Sequence, residues 1–300
     1  MKTLITISGP TASGKTKLSI DLAKHFGAEI VSADSRQFYK HLTIGTAKAT
    51  KSELEQVKHH FIDILEPYEP YNAGQFEDDV IPFLSKYFLT NDIAIMVGGS
   101  GLYINAIKHG FDPLPKSSAE TRSKWSGIRE SKGLPYLRSE LKKLDPLFYA
   151  KVDLNNYQRV QRALEVIDET GKPFSELRTK KKKVRDFNCF EIQILPEREV
   201  LYTRINQRVD VMLAEGLLKE VESLTQFKGL NALQTVGYSE LFQFLNKELS
   251  LEEAIIKIKQ HTRNFAKRQF TWFKKHSGDL ILQEPKVDIA LKHLKERISV

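Results

Sequence analysis

The stretch Gly9-Pro-Thr-Ala-Ser-Gly-Lys-Thr16 decides the fold, because it lies between an apolar segment at 3–8 and a helical segment at 15–26. It fits the pattern G-x-x-x-x-G-K-[ST] in the strand–loop–helix context that a phosphate-binding loop requires. Glycines let backbone N–H groups turn toward phosphate oxygens, and the helix N-terminus adds positive potential. Lys15 supplies a positive charge, and the Thr16 hydroxyl can bind Mg²⁺. The predicted phosphate-binding residues are Gly9, Pro10, Thr11, Ala12, Ser13, Gly14, Lys15 and Thr16.

Alternation of short apolar segments with helical segments predicts a P-loop-type α/β fold, with a parallel, doubly wound sheet flanked by helices. The predicted strands are 3–8, 29–33, 93–97 and 190–194. Residues 117–185 show only helical periodicity, and one helix there is expected to begin at Asn155 or Asn156 and to end at Gly171. Residues after Pro196 are expected to be helical. We therefore predict a core domain of residues 1–112 and 189–300, and an all-helical insertion domain of residues 113–188.

Composition indicates a globular protein with a sizeable core, since 41% of the 300 residues are hydrophobic and 28% are charged. No apolar run approaches the roughly 20 residues of a membrane span. The apolar segment 4–7 is too short for a signal peptide. The single cysteine, Cys189, excludes an internal disulfide and a multi-cysteine zinc site. We expect a cytoplasmic protein without membrane contact, and we favour a monomer.

Charge is distributed unevenly along the chain. Residues 1–110 carry 11 Lys and Arg against 12 Asp and Glu, so the net charge of +8 leaves +9 on residues 111–300. Two stretches, 172–185 and 257–275, each hold seven basic residues, and the second also holds four aromatic residues. Basic side chains bind phosphates, and aromatic rings can stack on unpaired bases. A polyanionic partner is expected, although a solvated lysine loop and core aromatic residues are the structural alternatives.

The acidic residues near the loop leave the phosphate ligand open. In P-loop nucleotidases a carboxylate at the end of a buried strand also holds the metal. The segment 93–97 instead runs into Gly98-Gly99-Ser100-Gly101, which has no carboxylate. Asp34, after the second predicted strand, is the one well-placed acid, and its structural alternative is a turn-capping role. The loop can therefore hold a diphosphate that is not part of ATP.

Eight segments, in order, resemble the tRNA dimethylallyltransferases, also called tRNA isopentenyltransferases. They cover about 270 residues. The segments are GPTASGKT (9–16), VSADSRQFYKHLTIGTAK (31–48), HHFIDILEP (59–67), VGGSGLY (97–103), QRVQRALEV (158–166), MLAEGL (212–217), TVGYSEL (235–241) and AKRQFTWF (266–273).

The resemblance implies transfer of a dimethylallyl group from dimethylallyl diphosphate to N6 of the adenosine next to the anticodon. The tRNAs would be those that read codons beginning with U, and the diphosphate would leave on Mg²⁺. The implied catalytic residues are Asp34 as general base, with Lys15, Thr16, Ser100 and Arg208 around the diphosphate; Thr16 is the implied metal ligand. The implied tRNA contacts are Asp34, Ser35, Arg36, Gln37, Ser100, Arg122, Gln158, Arg159, Val160, Gln161 and Arg162.

The chain departs from the family pattern at two places. Ser100 replaces the usual Thr but keeps the hydroxyl, and the segment Asp153-Leu-Asn-Asn156 replaces His-Pro-Asn-Asp, which affects the expected local loop geometry. No Cys/His zinc finger follows, which is typical of the short bacterial form.

Other function classes remain open from the residues alone. A P-loop kinase would transfer phosphate and would not explain the basic second half. A transferase acting on free AMP would not need the QRVQR and AKRQ segments. A non-catalytic RNA-binding module would leave the phosphate loop unexplained.

Overall fold

Six parallel strands form the central sheet of this computed structural model, which describes residues 2–112, 114–179 and 181–298. The strands are β1 (Thr3–Ser8), β2 (Ile30–Ser32), β3 (His59–His60), β4 (Ile93–Gly98), β5 (Asn188–Ile194) and β6 (Leu280–Leu282). Their order across the sheet is β3-β2-β4-β1-β5-β6, so β1 lies inside between β4 and β5. The predicted parallel α/β fold is confirmed.

The two edge strands were not predicted from the sequence. The expectation that residues after Pro196 are all helical is wrong at Leu280–Leu282, where β6 pairs with β5. At the opposite edge, His59–His60 pairs with β2. Segments of two or three residues are too short to show an alternating pattern, so pairing with a neighbouring strand decides their conformation.

Helices cover both faces of the sheet. The helices before residue 110 are α1 (Lys15–Phe26), α2 (Lys51–Gln56), α3 (Ala73–Tyr87) and α4 (Gly101–His109). Ile5 and Ile7 of β1 point toward α1 and share one apolar cluster with Leu18 and Leu22. Leu4 points to the opposite face of the sheet and belongs to a second apolar cluster with Phe76 of α3 and Ile104 of α4. The alternation of side chains along β1 thus divides the core into two layers.

The chain divides into two compact units, one running to Lys108 and resuming at Arg185, the other covering His109–Val184. The ends of the second unit lie four residues before the predicted limits 113 and 188. Pro113 itself is outside the described residues. The second unit ends at Val184 because the next residue, Arg185, is hydrogen-bonded to residues of the first unit.

All secondary-structure elements in the described residues of the second unit are helices, joined by loops. Its helices are α5 (Ala119–Leu144, with a kink at Gly133), α6 (Pro146–Tyr149), α7 (Tyr157–Thr170) and α8 (Phe174–Leu177). Its own core contains Trp125, Leu137 and Leu164. The predicted ends of α7 are confirmed, because the Asn156 side chain accepts a hydrogen bond from Arg159 N–H and Gly171 closes the helix in a left-handed conformation.

The C-terminal part of the first unit is mostly helical. It contains α9 (Arg198–Ala214), α10 (Leu217–Ser223), α11 (Tyr238–Leu245), α12 (Leu251–Lys275) and α13 (Val287–Arg297), with 3₁₀ turns at Thr225–Phe227 and Asn231–Leu233. On α9, Leu201, Ile205 and Val209 are buried along one face of the helix, and Met212 is partly buried.

A buried ion pair anchors the chain where it re-enters the first unit. Arg185 Nη2 donates to Glu77 Oε1 at 2.9 Å and to the Ala106 carbonyl at 2.8 Å, and its Nε donates to the Ile107 carbonyl at 2.8 Å. Glu77 is 5% exposed. The guanidinium thus satisfies carbonyl groups in α4 while its charge is balanced.

We expect Glu77→Ala to lower the free energy of unfolding by about 3–5 kcal/mol, because it leaves the buried Arg185 charge without its partner. The exposed pair between Lys2 and Asp92 is the matched control, and Asp92→Ala should change the stability little. Urea unfolding of both variants measures the difference. Equal losses would contradict the anchoring role of Glu77.

Candidate active site

The phosphate loop connects the carboxyl end of β1 to α1. Gly9 has φ 148°, and a Cβ atom there would lie 2.4 Å from the Ile194 carbonyl oxygen at the end of β5. Only glycine allows this approach of two backbones. Gly14 has φ 92° and is the N-cap residue of α1. The sequence therefore places the positive end of α1 at the loop.

Two partly buried cations lie beside the loop. Lys15 Nζ donates to the Pro10 carbonyl at 2.7 Å, and Arg208 Nη1 donates to Thr11 Oγ1 at 3.4 Å. Burial, followed by the nearby Arg208 charge, lowers the pKa of Lys15 to about 7, while the carboxylate of Asp34 opposes the shift. Burial also lowers the pKa of Arg208. Two desolvated cations at one place favour an anionic ligand.

The loop opens into a cleft of about 500 Å³, whose walls come from seven segments of the first unit. The predicted residues that line it are Thr11, Lys15, Thr16, Asp34, Ser35, Arg36, Gln37, Ser100 and Arg208. The structure thus brings together residues that are up to 197 positions apart. Its apolar lining includes Val209, Met212, Val236, Ile258 and Phe265. The cleft can therefore hold an anion and an adjoining apolar group.

Asp34 follows β2 and begins a tight turn. Its Oδ1 accepts the Arg36 N–H at 3.0 Å, so one carboxylate oxygen takes part in the turn. Ser100 Oγ accepts the Ser35 N–H at 3.2 Å, which ties this turn to the segment after β4. Gln37 Nε2 donates to the carbonyls of Thr46 and Ala47 at 3.2 and 3.1 Å. The turn and the facing backbone form one wall of the cleft.

Arg36, which lines the cleft, also has protein partners in the segment 231–234. Its Nη1 donates to the Asn231 carbonyl at 2.6 Å and its Nη2 to the Gln234 carbonyl at 3.4 Å. The guanidinium therefore connects the turn at 34–37 to the segment 231–234. Its contact with tRNA stays a prediction.

Gln269 of α12 was not singled out from the sequence. Its Oε1 accepts the Thr11 N–H at 2.9 Å, and its Nε2 donates to the Gly99 carbonyl at 2.9 Å. One buried amide therefore joins the phosphate loop to the segment that carries Ser100. No signal in the sequence distinguishes Gln269 from Gln260, an exposed amide in the same basic stretch.

The second basic stretch contains one partly exposed aromatic ring beside the cleft. Phe265 is 40% exposed and lines the cleft, whereas Phe273 is 1% exposed and belongs to the core. The guanidinium of Arg268, which also lines the cleft, lies 5.8 Å from the Phe265 ring. In the first stretch, residues 181–184 are exposed, and Lys180 lies outside the described residues.

Within the helical unit, the predicted tRNA contacts divide into exposed and buried side chains. Arg122, Gln158 and Arg159 are exposed. Val160 has no exposed surface, because the α7 face that carries it packs into the core of this unit, so its side chain offers RNA no surface. Gln161 is 9% exposed and its Nε2 donates to Glu165 Oε1 at 3.0 Å.

Arg162 is partly exposed and its guanidinium is held within the same unit. Its Nη2 donates to the Pro115 carbonyl at 2.7 Å, and its Nη1 donates to the Ser117 hydroxyl. The contact with tRNA predicted for Arg162 has not been tested.

The residues present fit a metal ion that is bound largely through a phosphate ligand. No group of three or more His, Cys, Asp and Glu side chains capable of holding a metal occurs among the described residues. Thr16 and Asp34 nevertheless line the cleft beside Lys15. Mg²⁺ usually takes one or two protein ligands together with phosphate oxygens and water. An all-protein metal cage does not fit this site.

The parallel sheet with a Gly-rich loop between β1 and α1 defines the class of P-loop α/β proteins. Among the described residues, no helix combines the length and the apolar character that crossing a membrane requires.

The chain belongs to the IPP transferase family, whose model matches residues 37–276. It is 48% identical to the tRNA dimethylallyltransferase of Flavobacterium johnsoniae over 284 residues, which cover 93% of this chain and 92% of that protein. It is 41% identical to tRNA dimethylallyltransferase 2 of Parabacteroides distasonis, over 99% of this chain and 100% of that one.

Solved structures agree with this assignment. The tRNA isopentenylpyrophosphate transferase of Bacillus halodurans has a TM-score of 0.72 and 36% identity, covering 100% of this chain and 96% of that chain. A eukaryotic dimethylallyltransferase acting on tRNA has a TM-score of 0.79 and 30% identity, covering 100% of this chain and 77% of that chain.

We expect Gln269→Glu to lower the free energy of unfolding by about 1–3 kcal/mol, because a carboxylate oxygen would face the Gly99 carbonyl in place of a donor. Gln260→Glu, at an exposed position of the same helix, is the matched control and should change stability little. Chemical denaturation measures both. A variant at Gln269 as stable as the one at Gln260 would show that the bridge is unimportant.

Proposed function

We propose that the protein transfers the dimethylallyl group of dimethylallyl diphosphate to N6 of the adenosine next to the anticodon of tRNA. The observation that carries the proposal is one cleft in which the cations Lys15 and Arg208, the carboxylate Asp34 and an apolar wall meet. The cations suit the diphosphate, the apolar wall suits the prenyl group, and the carboxylate suits an amine that loses a proton.

The phosphate loop stabilises the leaving diphosphate. As the bond between the allylic carbon and the diphosphate oxygen breaks, negative charge grows on that oxygen. Lys15, Arg208 and the N-terminus of α1 are already positioned there, so they favour the transition state over the bound substrate. The Thr11 hydroxyl, which accepts a hydrogen bond from Arg208, fixes the direction of the guanidinium.

Asp34 is the proposed proton acceptor. The N6 amine is a weak nucleophile because its lone pair is delocalised into the ring, so removing the proton during attack on the allylic carbon assists the reaction. The turn that begins at Asp34 is held by Ser100, and Gln37 is held by the 46–47 backbone. Asp34, Ser35, Arg36 and Gln37 are the proposed contacts to the target nucleotide, together with Ser100.

We propose Mg²⁺ as the metal, with Thr16 and the diphosphate oxygens among its ligands. When bound, the ion neutralises part of the charge on the diphosphate. The sparse protein donors at the cleft support a metal that arrives with its phosphate ligand.

Transfer RNA is the proposed partner of the basic second half, which carries +9 from residue 111 onward. The target base must leave its stack to reach a cleft of this kind. Arg122, Gln158 and Arg159 are the exposed candidates on the helical unit, and Phe265 and Arg268 are exposed candidates at the cleft. We propose that the protein acts as a monomer.

The test of the function is incubation with labelled dimethylallyl diphosphate and unmodified tRNA, AMP or no acceptor. We expect label on N6 of the adenosine next to the anticodon. Transfer to AMP instead would identify a free-nucleotide transferase, and phosphate transfer from ATP without prenylation would identify a kinase.

We expect Asp34→Asn to slow the chemical step by about 10²–10⁴-fold, because the amide keeps the Oδ1 acceptor of the turn but cannot take the proton. Binding of tRNA should change far less. Single-turnover prenylation measures the rate. Rescue by high Mg²⁺ would assign Asp34 to metal binding, and a loss of about 1 kcal/mol in stability with normal turnover would assign it to the turn.

We expect diphosphate binding to take up a proton above pH 7, because the pKa of Lys15 is about 7 before binding and a neighbouring anion raises it. Affinity should therefore fall as pH rises above 7, by at most about tenfold per pH unit. Calorimetry with inorganic diphosphate near pH 8.5, in buffers of different ionisation enthalpy, measures the uptake. Lys15→Arg stays charged and should bind without it; unchanged uptake in this variant would assign the proton to another group.

A further inference from the structure

Residues 42–47 form a loop that faces the cleft on one side and the α10–α11 region on the other. Gly45, Thr46 and Ala47 line the cleft. The carbonyls of Thr46 and Ala47 accept the two hydrogen bonds that Gln37 Nε2 donates, and Gln37 Oε1 accepts the Ser32 hydroxyl at 3.4 Å. The loop therefore positions the amino group of the Gln37 amide.

The carboxylate of Glu220, which does not line the cleft, holds this loop through its backbone N–H groups. Glu220 Oε2 accepts the N–H groups of Thr43 and Ile44 at 3.1 and 2.7 Å, and Oε1 accepts the Gly45 N–H at 3.1 Å. Oε1 also accepts the Tyr238 hydroxyl at 2.6 Å. Three successive backbone donors around one anion form a nest, and hydrogen bonds to a charged acceptor are about twice as strong as neutral ones.

Tyr238 completes the arrangement. It is fully buried, and a Cβ atom at Gly45 would lie 2.4 Å from its ring, so the glycine permits the phenol to reach the carboxylate. Burial, with the Glu220 carboxylate as the next cause, raises the pKa of Tyr238 far above its ordinary range, which keeps the hydroxyl a donor. Leu42 packs into the same apolar cluster as Tyr238 and Leu217.

We propose that Glu220 is a positioning residue for base docking: its carboxylate holds residues 43–45 and thereby fixes, through the 46–47 carbonyls, the Gln37 wall of the cleft. This inference rests on the proposed function, because docking refers to the target adenosine. Glu220 acts on the acceptor side. The phosphate loop is held by Gln269, and its Gly9 lies against the Ile194 backbone, so the diphosphate side should be independent of Glu220.

The test compares Glu220→Gln with Glu222→Gln, an exposed position on the same helix. The amide can accept fewer of the four donors and adds a donor that opposes them. We expect the KM for tRNA to rise about tenfold in Glu220→Gln, with the KM for dimethylallyl diphosphate near that of the parent protein. Hydrogen exchange at residues 43–45 should become faster, whereas Glu222→Gln should match the parent in every measurement.

A second variant, Tyr238→Phe, keeps the ring and the three backbone bonds and removes one donor. It should raise the KM for tRNA in the same direction by a smaller factor, and it decides the matter if Glu220→Gln does not fold. A lower melting temperature with both KM values unchanged would overturn the proposal, because Glu220 would then only stabilise the fold. An equal rise in both KM values would also overturn it. Absence of tRNA prenylation by the parent protein would refute the proposed function instead.

Discussion

The close approach of backbones at the carboxyl ends of the strands is the constraint on which the site depends. Gly9 lies against the Ile194 carbonyl, and a Cβ atom at Gly98 would lie 2.3 Å from the Ala33 carbonyl. Side chains at these positions would separate β1 from β5 and β4 from β2. The phosphate loop, Asp34 and Ser100 would then no longer surround one cleft. Close packing without side chains at this edge of the sheet is what leaves room for a ligand.

The charges of the cleft follow from that geometry. Lys15 and Arg208 lie close together, and their burial lowers the pKa of both side chains. Such an arrangement destabilises the free protein locally, and an anionic ligand relieves it. In the proposed reaction, negative charge develops on the leaving diphosphate. The two cations therefore stabilise the transition state in which this charge develops. In α9, Val209 directly follows Arg208 and Met212 lies about one helical turn beyond it, and both line the cleft, which places apolar side chains beside the anion.

The walls of the cleft are held mainly by uncharged or paired polar groups that are distant in sequence. Gln269 joins Thr11 to Gly99 across 170 residues or more. Glu220 joins α10 to the loop that supports Gln37. Gln269 supports the phosphate loop, whereas Glu220 supports the wall of the cleft that contains Gln37. A site built in this way can keep its two substrates independently positioned, because each wall has its own buried polar support.

The sequence by itself determined the class of the protein, because the decisive signals are local. The loop 9–16 needs only its own glycines and the helix that follows. Short apolar segments identify β1 and β4, and helical periodicity identifies the helical character of the inserted segment, including α7. Asp34 could be proposed because it follows a predicted strand. The edge strands His59–His60 and Leu280–Leu282, and the partners of Arg36, Gln269 and Glu220, follow from tertiary contacts alone. They depend on which distant segments meet when the chain folds, and side-chain contacts across 170 or more residues, such as Gln269 with Gly99 and Glu220 with Gly45, leave no periodic trace in the chain.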